Sequence, residues 1–575
     1  MKVSDYIVKF FEEKGVKIIF GYIGGMITHL TDSIYLNENM KFIQVYHEQT
    51  AAIAAEGYAR ETGNIGVAIS TSGPGATNMV TGIANAYFDS IPVIYITGQV
   101  NTYEYKYDKP IRQQGFQETD IISIVKPITK YAKLVDNENE IKYELEKAYK
   151  IALEGRKGPV VLDIPMNIQR AEIEIDKIPS FNEKEEKINP IDWTPILNLI
   201  EKSEKPIILA GAGLISDGAQ ELLKKLVDKT NIPVVNSLMG KGCFSDERTE
   251  CIGMIGSYGN RCANMLVPES DLLIALGTRL DTRQTGNILE GFLPKGKIIH
   301  VNIDEIELDN HRLENRIKVK DSVKEFLTFI ENKIKYKVTK EWENRYTNLK
   351  KMYSQEKEIE KNIENKIPYR IMEILSGYSK RGDIFTADIG QNQMWSAQHL
   401  KMKEKQKYYT SGGLAPMGYS LPASVGAAFA NPSQNIFSIN GDGGFHMALQ
   451  SLMLISQYNL PIKVIVLNNN ALGMITQFQE LYFDKRTVGT TAEGGYLVPE
   501  IQKISEAYNL KYFKITKENI DDKKYMDEVF SVRNGIIEFL IEGETKVFPK
   551  LEYNQPINRT SPLLKELIMD NDKLI

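Results

Sequence analysis

One segment, residues 435–470, constrains what this chain can fold into more than any other. Its apolar strand pattern, IFSIN, ends in the turn GDGG (441–444), and the helical pattern FHMALQSLMLISQY follows. A second strand pattern, KVIVL, then ends in three asparagines (468–470). A strand–helix–strand unit of this length makes two neighbouring parallel strands with a right-handed crossover. We therefore expect Asp442 and the asparagines at the same carboxyl edge of an α/β sheet, where the ligands of open sheets bind.

The groups at this edge have the chemistry of a magnesium–phosphate site. One carboxylate, one amide oxygen and a nearby main-chain carbonyl are hard ligands suited to Mg²⁺, and phosphate oxygens and water complete its octahedron. Gly443 and Gly444 let main-chain N–H groups and a helix N-terminus approach an anion. A Gly-Asp-Gly alone is usually a turn, and an asparagine run after a strand is usually a loop. Their combination across one strand–helix–strand unit is specific, and it predicts a functional site.

The rest of the chain predicts an α/β protein that is too long for one core. At about 150 residues per domain, 575 residues make three or four units. Short apolar runs alternate with helical patterns in three blocks, which predicts three doubly wound parallel-sheet domains. A Lys- and Glu-rich stretch at 175–190 has little apolar surface to bury and is typical of a linker. We expect domains at 1–170, 188–330 and 367–540, a helical linker at 331–366 and a C-terminal tail at 541–575.

Composition excludes several classes of function. The net charge is −5 with both signs interspersed, so no basic face for nucleic acid or anionic lipid is expected. No apolar run reaches the roughly 18 residues that span a bilayer. The N-terminus, MKVSDYIVKFFEEKGV, fits an amphipathic helix and not a secretory signal. Three cysteines without C-x-x-C spacing predict a reduced, cytoplasmic protein with no disulfide framework or zinc site.

The turn–helix–asparagine motif resembles the diphosphate-binding motif of thiamine-diphosphate enzymes. By that resemblance Asp442 and Asn469 are the metal ligands, and the main-chain carbonyl of Ala471 is the third. Such an enzyme also needs a carboxyl group that protonates the aminopyrimidine of its cofactor, held in an apolar site that favours the protonated form. Glu48, at the start of a helix rich in small residues, is the candidate. Taken alone, a glutamate there is more often a cap or a partner of the helix dipole.

The context of Glu48 resembles the pyrimidine-binding domain of acetolactate synthase catalytic subunits. The segments HEQTAAIAAEGYAR (47–60), SGPGATN (72–78), TGQV (97–100) and GFQE (115–118) occur in the family's order. On that pattern Glu48 matches the catalytic glutamate, and Phe116 and Gln117 match residues that reach the reacting centre. Gly25 lies on the loop beside it. The resemblance spans essentially the first 545 residues, so the three domains are expected to be pyrimidine-binding, central and diphosphate-binding, in that order.

The third block carries the remaining expected cofactor contacts. GGLAPMGYSLPASVGAA (412–428) resembles the loop and helix against which the cofactor bends, with Met417 as the apolar residue under the bend and the Ala415 carbonyl as an acceptor. The helix after the asparagines resembles the one that closes over the substrate. The resemblance implies cofactor contacts from Gly390, Gln391, Ala415, Met417, Gly441, Gly443, Gly444, Met474 and Ile475.

The central block resembles the flavin-binding domain of acetolactate synthases. In ALGTRLDTRQTGN (275–287), the candidates for FAD contacts are Arg279, Asp281 and Arg283. Several thiamine enzymes keep this domain as an empty scaffold, and Asn302 stands where an acidic residue is expected. A lone G-x-G, such as Gly211-Ala212-Gly213, is weak evidence. We expect FAD to be bound.

Several positions around the substrate depart from the family. Phe478 replaces a Trp, His29 and Asn101 each replace a Pro, and a six-residue insertion containing Asp108, Lys109 and Arg112 enlarges the loop before GFQE. His29 and Phe478 are therefore expected in a substrate pocket with more room and polarity than usual. Two further departures lie near the cofactor: Asn392 replaces a His and Ala415 replaces a Gly.

The resemblance implies Mg²⁺- and thiamine-diphosphate-dependent decarboxylation of pyruvate with carboligation to a second 2-oxo acid. Because the two cofactor-binding domains of this family face each other across a subunit interface, a homodimer or homotetramer is expected, and a regulatory subunit stays open. Three alternatives remain: a carboligase for another acceptor such as a keto-sugar in polysaccharide biosynthesis, a simple 2-oxo acid decarboxylase, and a non-catalytic paralogue. The presence of Glu48 and the metal motif argues against the last.

Overall fold

The computed structural model describes residues 1–182 and 191–563, so the predicted linker at 175–190 and tail at 541–575 lie partly outside the described residues. The described chain contains three six-stranded sheets whose strands all pair in parallel. The predicted α/β class, with three doubly wound parallel sheets, is confirmed. No helix of the described ranges combines the length and apolar character that a membrane crossing needs.

The first sheet lies between residues 18 and 165. Its strand order is β2-β1-β3-β4-β6-β5, where the strands are β1 (Ile18–Tyr22), β2 (Lys41–Gln44), β3 (Gly66–Ser70), β4 (Val93–Gln99), β5 (Tyr131–Leu134) and β6 (Val160–Pro165). Its helices are α1 (Val3–Glu13), α2 (Thr28–Leu36), α3 (Glu48–Thr62), α4 (Pro74–Asn78), α5 (Val80–Asp89), α6 (Ile121–Val125), α7 (Ile141–Leu153) and α8 (Met166–Gln169).

The second sheet lies between residues 206 and 320. Its strand order is β12-β11-β10-β7-β8-β9, where the strands are β7 (Pro206–Ala210), β8 (Val234–Asn236), β9 (Cys251–Met254), β10 (Leu272–Leu276), β11 (Lys297–Asn302) and β12 (Arg316–Lys320). The helices of this region are α9 (Thr194–Lys202), α10 (Ala212–Ser216), α11 (Gln220–Thr230), α12 (Arg261–Leu266), α13 (Thr282–Thr285), α14 (Glu305–Asp309), α15 (Val323–Lys333), α16 (Lys340–Met352) and α17 (Gln355–Asn362).

The third sheet lies between residues 384 and 540. Its strand order is β14-β13-β15-β16-β18-β17, where the strands are β13 (Ile384–Ala387), β14 (Lys407–Tyr409), β15 (Ile436–Gly441), β16 (Ile462–Asn468), β17 (Tyr512–Ile515) and β18 (Gly535–Leu540). Its helices are α18 (Ile367–Tyr378), α19 (Gln391–His399), α20 (Ser420–Ala430), α21 (Asp442–Met447), α22 (Ser451–Gln457), α23 (Gly473–Tyr482), α24 (Ile501–Ala507) and α25 (Lys523–Ser531).

The central strands of each sheet are largely apolar because both of their faces are buried, whereas an edge strand such as β12, with the sequence RIKVK, carries exposed charged residues. Every residue of β6 and β16 is buried. One core lies between the first and third sheets and takes side chains from both, including Tyr95 and Val464. The central sheet has its own core.

The helix predicted after the GDGG turn is two helices, α21 and α22, with a break at residues 448–450. At the break Ala448 leaves the helical backbone conformation (φ −134°, ψ 23°). The change of direction lets α21 begin at the sheet edge while Leu452, Leu454 and Ile455 of α22 enter the core between the first and third sheets.

Helices α3 and α20 join the first and third domains by a close crossing. A Cβ atom on Gly57 would lie 2.2 Å from the carbonyl oxygen of Ala423, and one on Gly426 would lie 1.8 Å from that of Ala54. Nearly every residue of α3 from Thr50 to Ala59 is buried. The small residues of both helices therefore let their backbones touch.

The segments predicted as linker and tail pack against the central domain. Helix α16 buries Trp342 and Tyr346 in the central core, and Trp342 Nε1 donates to the Pro206 carbonyl at 3.0 Å. Beyond the third sheet, β19 (Lys550–Leu551) and β20 (Thr560–Ser561) form an antiparallel pair. The described part of the tail thus includes a short two-stranded hairpin.

Candidate active site

The carboxyl ends of β15 and β16 bring the predicted metal-binding residues together. The two strands are parallel neighbours, with Gly441 opposite Leu467. Asp442, which is 1 % exposed, accepts hydrogen bonds from Tyr496 Oη at 2.7 Å and from the main-chain nitrogen of Asn469 at 3.2 Å. Burial raises the pKa of Asp442 to about 6, and these hydrogen bonds partly offset that rise.

Asn469 completes a cluster of oxygen-bearing groups. Oδ1 of its side-chain amide lies 3.2 Å from Asp442 Oδ2 and 2.9 Å from the carbonyl oxygen of Ala471. A carboxylate, an amide and a main-chain carbonyl that converge in this way match the donor set that Mg²⁺ uses in proteins. The three predicted ligands thus fit a magnesium ion.

The two glycines after Asp442 cannot carry side chains. A Cβ atom on Gly443 would lie 2.6 Å from Leu472 Cδ2 and 3.1 Å from Met417 Cε. One on Gly444 would lie 2.4 Å from Asp388 Oδ1. Met417 therefore lies next to the turn, as an apolar neighbour of the Asp442 cluster.

Asp388 is a site residue that sequence reasoning missed. It is fully buried after β13 and accepts hydrogen bonds from the main-chain nitrogens of Gly418 at 3.0 Å and Ser420 at 2.9 Å. Burial raises its pKa to about 6. Asp388 fixes the turn after Met417 against Gly444. A buried aspartate directly after a strand, in TADIG, is the signal that could have indicated it.

Loop 411–415 is held by helix α5 of the first domain. Asp89 accepts from the main-chain nitrogen of Gly413 at 2.8 Å, and Asn85 Oδ1 accepts from Ser411 Oγ at 2.5 Å. Ser411 Oγ in turn accepts from the nitrogen of Ala415, whose φ is +59°. A left-handed backbone at this position favours glycine.

Burial raises the pKa of Asp89 to about 6, while Arg60 acts to lower it. Arg60 Nη2 lies 3.2 Å from Asp89 Oδ2 and 2.9 Å from Glu56 Oε1. Glu56 also accepts from Tyr419 Oη at 3.0 Å, so the buried charges of the first domain also contact the residue that precedes α20.

The predicted residues of α23 lie at two different surfaces. Met474 packs inward, with its Sδ 3.5 Å from Tyr258 Oη of the central domain. Ile475 and Phe478 are about half exposed in the single chain, and the Phe478 ring lies 4.6 Å from that of Tyr482.

The first sheet places Glu48 beside the SGPG loop and Gln117. Glu48 is 6 % exposed, and its Oε2 accepts from Asn78 Nδ2 at 2.9 Å. A Cβ atom on Gly75 would lie 3.3 Å from Glu48 Oε1, and one on Gly73 would lie 2.9 Å from the Gln117 carbonyl. The catalytic glutamate and glutamine predicted from separate segments thus lie at one sheet edge.

The other predicted residues of this edge are open to solvent in the single chain. Phe116 is 80 % exposed, Gly25 has no atom within 4 Å of the place of a Cβ, and His29 is half-buried on α2. Within residues 1–182 and 191–563, no hydrogen bond joins Glu48 or Gln117 to the Asp442 cluster.

A cavity of about 970 Å³ lies between the three domains. Arg279, Asp281, Arg283 and Asn302 are on its wall. The side chain of Asp281 caps α13, because it accepts hydrogen bonds from the main-chain nitrogens of Arg283 and Gln284 at the start of that helix. The Gly211–Gly213 segment serves packing: a Cβ on Gly213 would lie 2.7 Å from the Gly277 Cα.

Comparison with known families gives this arrangement its class. The N-terminal TPP-binding domain of thiamine pyrophosphate enzymes matches residues 1–124, the central domain matches 194–330, and the C-terminal TPP-binding domain matches 388–534. The chain belongs to the thiamine pyrophosphate enzyme family. Thiamine pyrophosphate is another name for thiamine diphosphate.

Within that family the chain is similar to acetolactate synthase large subunits. It is 39 % identical to a probable acetolactate synthase large subunit of Methanocaldococcus jannaschii over 94 % of this chain and 92 % of the relative. It is 34 % identical to the acetolactate synthase large subunit of Lactococcus lactis, covering 95 % and 94 %. For the large subunit of Pyropia yezoensis the identity is 37 %, covering 87 % and 85 %.

Proposed function

We propose that this chain, with thiamine diphosphate and Mg²⁺, decarboxylates pyruvate and joins the remaining two-carbon unit to a second 2-oxo acid, as its acetolactate synthase relatives are named for doing. The observation that carries this proposal is the convergence of Asp442, Asn469 and the Ala471 carbonyl at the edge of the third sheet. Similarity over nearly the whole length of those relatives supports it.

Asp442, Asn469 and the Ala471 carbonyl would hold a magnesium ion, whose positive charge would serve to bind the cofactor's diphosphate. The main-chain N–H groups at the glycine turn face the same anion, since neither glycine has a side chain in the way. Further cofactor contacts come from residues around this turn and its neighbouring loops: Gly390, Gln391, Ala415, Met417, Gly441, Gly443, Gly444, Met474 and Ile475.

When bound, thiamine diphosphate supplies the carbon nucleophile and the electron sink that loss of CO₂ requires. Glu48 exchanges a proton with the cofactor's aminopyrimidine. Its Oε2 is held by Asn78, and its Oε1 faces Gly75, where no side chain intervenes. Oε1 is therefore the oxygen that carries the exchangeable proton.

Gln117, Phe116 and the Gly25 loop position the acceptor, and His29 and Phe478 line its pocket. Gln117 has a left-handed backbone conformation (φ +63°), and its carbonyl lies against Gly73. The conformation of the loop therefore sets the direction in which the Gln117 side chain leaves the backbone. The apolar Phe116 and Phe478 exclude water, which favours carboligation over release of an aldehyde.

The cavity between the three domains would hold FAD. A cavity of about 970 Å³ is large enough for a dinucleotide-sized ligand. Arg279 and Arg283 on its wall supply positive charge for the flavin's diphosphate, and Asp281 orients Arg279 at 3.5 Å.

The active enzyme is a homodimer or homotetramer. In one chain, Phe116 and Phe478 are exposed, and no hydrogen bond within the described ranges joins the Glu48 edge to the Asp442 edge. A second copy of the chain covers these surfaces and completes the site. The relatives are named large subunits, which supports a smaller regulatory partner.

The division into domains at 1–170, 188–330 and 367–540, with a helical linker at 331–366 and a tail at 541–575, follows the three sheets and their functions. The three free cysteines are all buried, which supports a cytoplasmic location.

The test is a product assay with pyruvate, thiamine diphosphate, Mg²⁺ and FAD that follows CO₂ and acetolactate together. One acetolactate and one CO₂ for every two pyruvates is the expected balance. Omitting Mg²⁺ should abolish turnover because the diphosphate loses its anchor. Acetaldehyde in place of acetolactate would refute carboligation, and CO₂ release that rises only with a different acceptor would refute the second 2-oxo acid.

A further inference from the structure

The side-chain amide of Asn469 is oriented by two residues outside the metal motif. Gln391 Nε2 donates to the main-chain carbonyl of Thr545 at 2.9 Å. Because a carbonyl oxygen only accepts, this bond fixes the nitrogen of the Gln391 amide there and turns Oε1 towards Asn469. Gln391 Oε1 then accepts from Thr545 Oγ1 at 2.7 Å and from Asn469 Nδ2 at 3.3 Å.

Thr545 makes the second contact to the same nitrogen. Its Oγ1 accepts from Asn469 Nδ2 at 2.7 Å while it donates to Gln391. With Nδ2 held on this side, Oδ1 of Asn469 is the atom that faces Asp442 and Ala471. Reversing the amide would let it donate to both, but would place its oxygen 3.3 Å from Gln391 Oε1.

Three oxygens consequently face one another at the sheet edge. Asn469 Oδ1 lies 3.2 Å from Asp442 Oδ2 and 2.9 Å from the Ala471 carbonyl oxygen. Oxygens at these separations repel unless a positive charge lies between them, so the orientation that Gln391 and Thr545 impose prepares the cluster for a cation.

The backbone of Thr545 is itself fixed. Val547, two residues after Thr545, is fully buried. Its main-chain nitrogen donates to Oε1 of the buried Gln477 on α23 at 3.0 Å. Lys546 Nζ lies 3.6 Å from Glu480 on the same helix. The segment after β18 is thus attached to α23, and Thr545 faces the Asn469 amide from a rigid position.

We propose that Thr545 and Gln391 are positioning residues for the divalent metal, because they hold the Asn469 amide with its oxygen towards Asp442 and Ala471. This inference rests on the metal site of the proposed function. It assigns a role in metal binding to a segment that the sequence predicted as a C-terminal tail.

The test is binding of Mn²⁺ to the intact enzyme at saturating thiamine diphosphate, measured from the EPR signal of the free ion. Partners that orient a metal ligand typically contribute 10–100-fold in affinity. Thr545→Val keeps the shape of the side chain and removes its hydroxyl, so we expect Mn²⁺ binding about 10–100-fold weaker. Thr545→Ser keeps the hydroxyl and should bind Mn²⁺ like the wild type.

Two further variants separate the possible failures. Asp442→Ala should lose Mn²⁺ binding, and if it binds normally the metal site itself is refuted, and this inference with it. If Asp442→Ala loses the ion and Thr545→Val binds it like the wild type, the positioning role alone is refuted. Should Thr545→Val fail to fold, Gln391→Met removes the other partner, and unchanged Mn²⁺ affinity in that variant overturns the inference equally.

Discussion

Glu48 lies at the carboxyl edge of the first sheet. Its Oε2 accepts a hydrogen bond from Asn78, and its Oε1 lies opposite Gly75. This arrangement leaves a single oxygen for proton exchange. A bulkier residue at position 75 would crowd Oε1, since even a Cβ atom there would lie 3.3 Å from it.

We expect Glu48→Gln to bind thiamine diphosphate nearly as tightly as the wild type and to lose at least about a hundredfold in turnover, with each tenfold worth about 1.4 kcal/mol of barrier. The amide keeps the bond to Asn78 but cannot supply the acidic proton. The measurements are steady-state CO₂ release and cofactor binding by quenching of protein fluorescence. Glu38→Gln, on an exposed residue of the same domain, is the control. Turnover near that of the wild type in Glu48→Gln would contradict the assigned role.

Single residues were predictable from the sequence where the chemistry demands one residue type. Asp442 and Asn469 stand directly after strand patterns, so their edge of the sheet followed from local sequence. Glu48 was identified only by the resemblance of the segments around it to a known family. Thr545 and Tyr496 gave no such signal. Each contacts the Asp442 cluster from a loop more than 50 residues along the chain, and only tertiary packing places its hydroxyl there.

At the scale of elements, the crossing of α3 and α20 fixes the first domain of the chain against its third domain. Helix α3 begins at Glu48, and α20 follows the loop that carries Ala415 and Met417. Strands such as β15 and β16 were predictable because burial on both faces gives continuous apolar runs. The break between α21 and α22 was not predictable, because the helical pattern continues across it. The change of direction depends on the packing of α22 in the core between the first and third sheets.

Gly426→Ala should destabilise this crossing. The added methyl group would lie 1.8 Å from the Ala54 carbonyl, which is backbone and cannot rotate away. Overpacking of this kind typically costs about 1–3 kcal/mol in the free energy of unfolding. Thermal unfolding monitored by circular dichroism measures the loss.

The matched control is Gly377→Ala on helix α18, where a new Cβ would have no atom within 4 Å. There the substitution should stabilise the chain by about 0.4–1 kcal/mol, since alanine favours the helix. Equal melting temperatures for the two variants would show that the helices do not meet as closely as the structure indicates.

At the scale of the whole molecule, the described segment after residue 541 connects the third domain with the central domain. Thr545 contacts the metal-binding edge, and the Phe548 carbonyl accepts from Tyr369 Oη on α18 at 3.3 Å. Further on, the hairpin β19–β20 binds the central domain through Arg261, which is 1 % exposed. Arg261 donates to the Thr560 carbonyl at 3.0 Å and to the Pro562 carbonyl at 2.9 Å.

A chain that ends after Pro549 should therefore have a less stable central domain. Arg261 would keep its bond to Glu358 at 2.8 Å but lose its acceptors in the hairpin, and the fully buried Ile557 would leave the central core. Leaving a buried donor without its acceptor costs about 1–3 kcal/mol. At about 2–4 °C per kcal/mol, the melting temperature should fall by at least roughly 2 °C in differential scanning calorimetry.

A chain that ends after Leu563 keeps every one of these contacts and should melt like the full-length protein. Both shortened chains retain Thr545 and Val547, so the Mn²⁺ affinity of each should stay close to that of the intact enzyme while only the shorter one loses stability. If both chains melt at the same temperature, the hairpin contributes nothing to the central domain. If the shorter chain loses Mn²⁺ as well, the contacts of Val547 and Phe548 alone do not hold Thr545, and the hairpin must anchor the metal-binding segment from the far side.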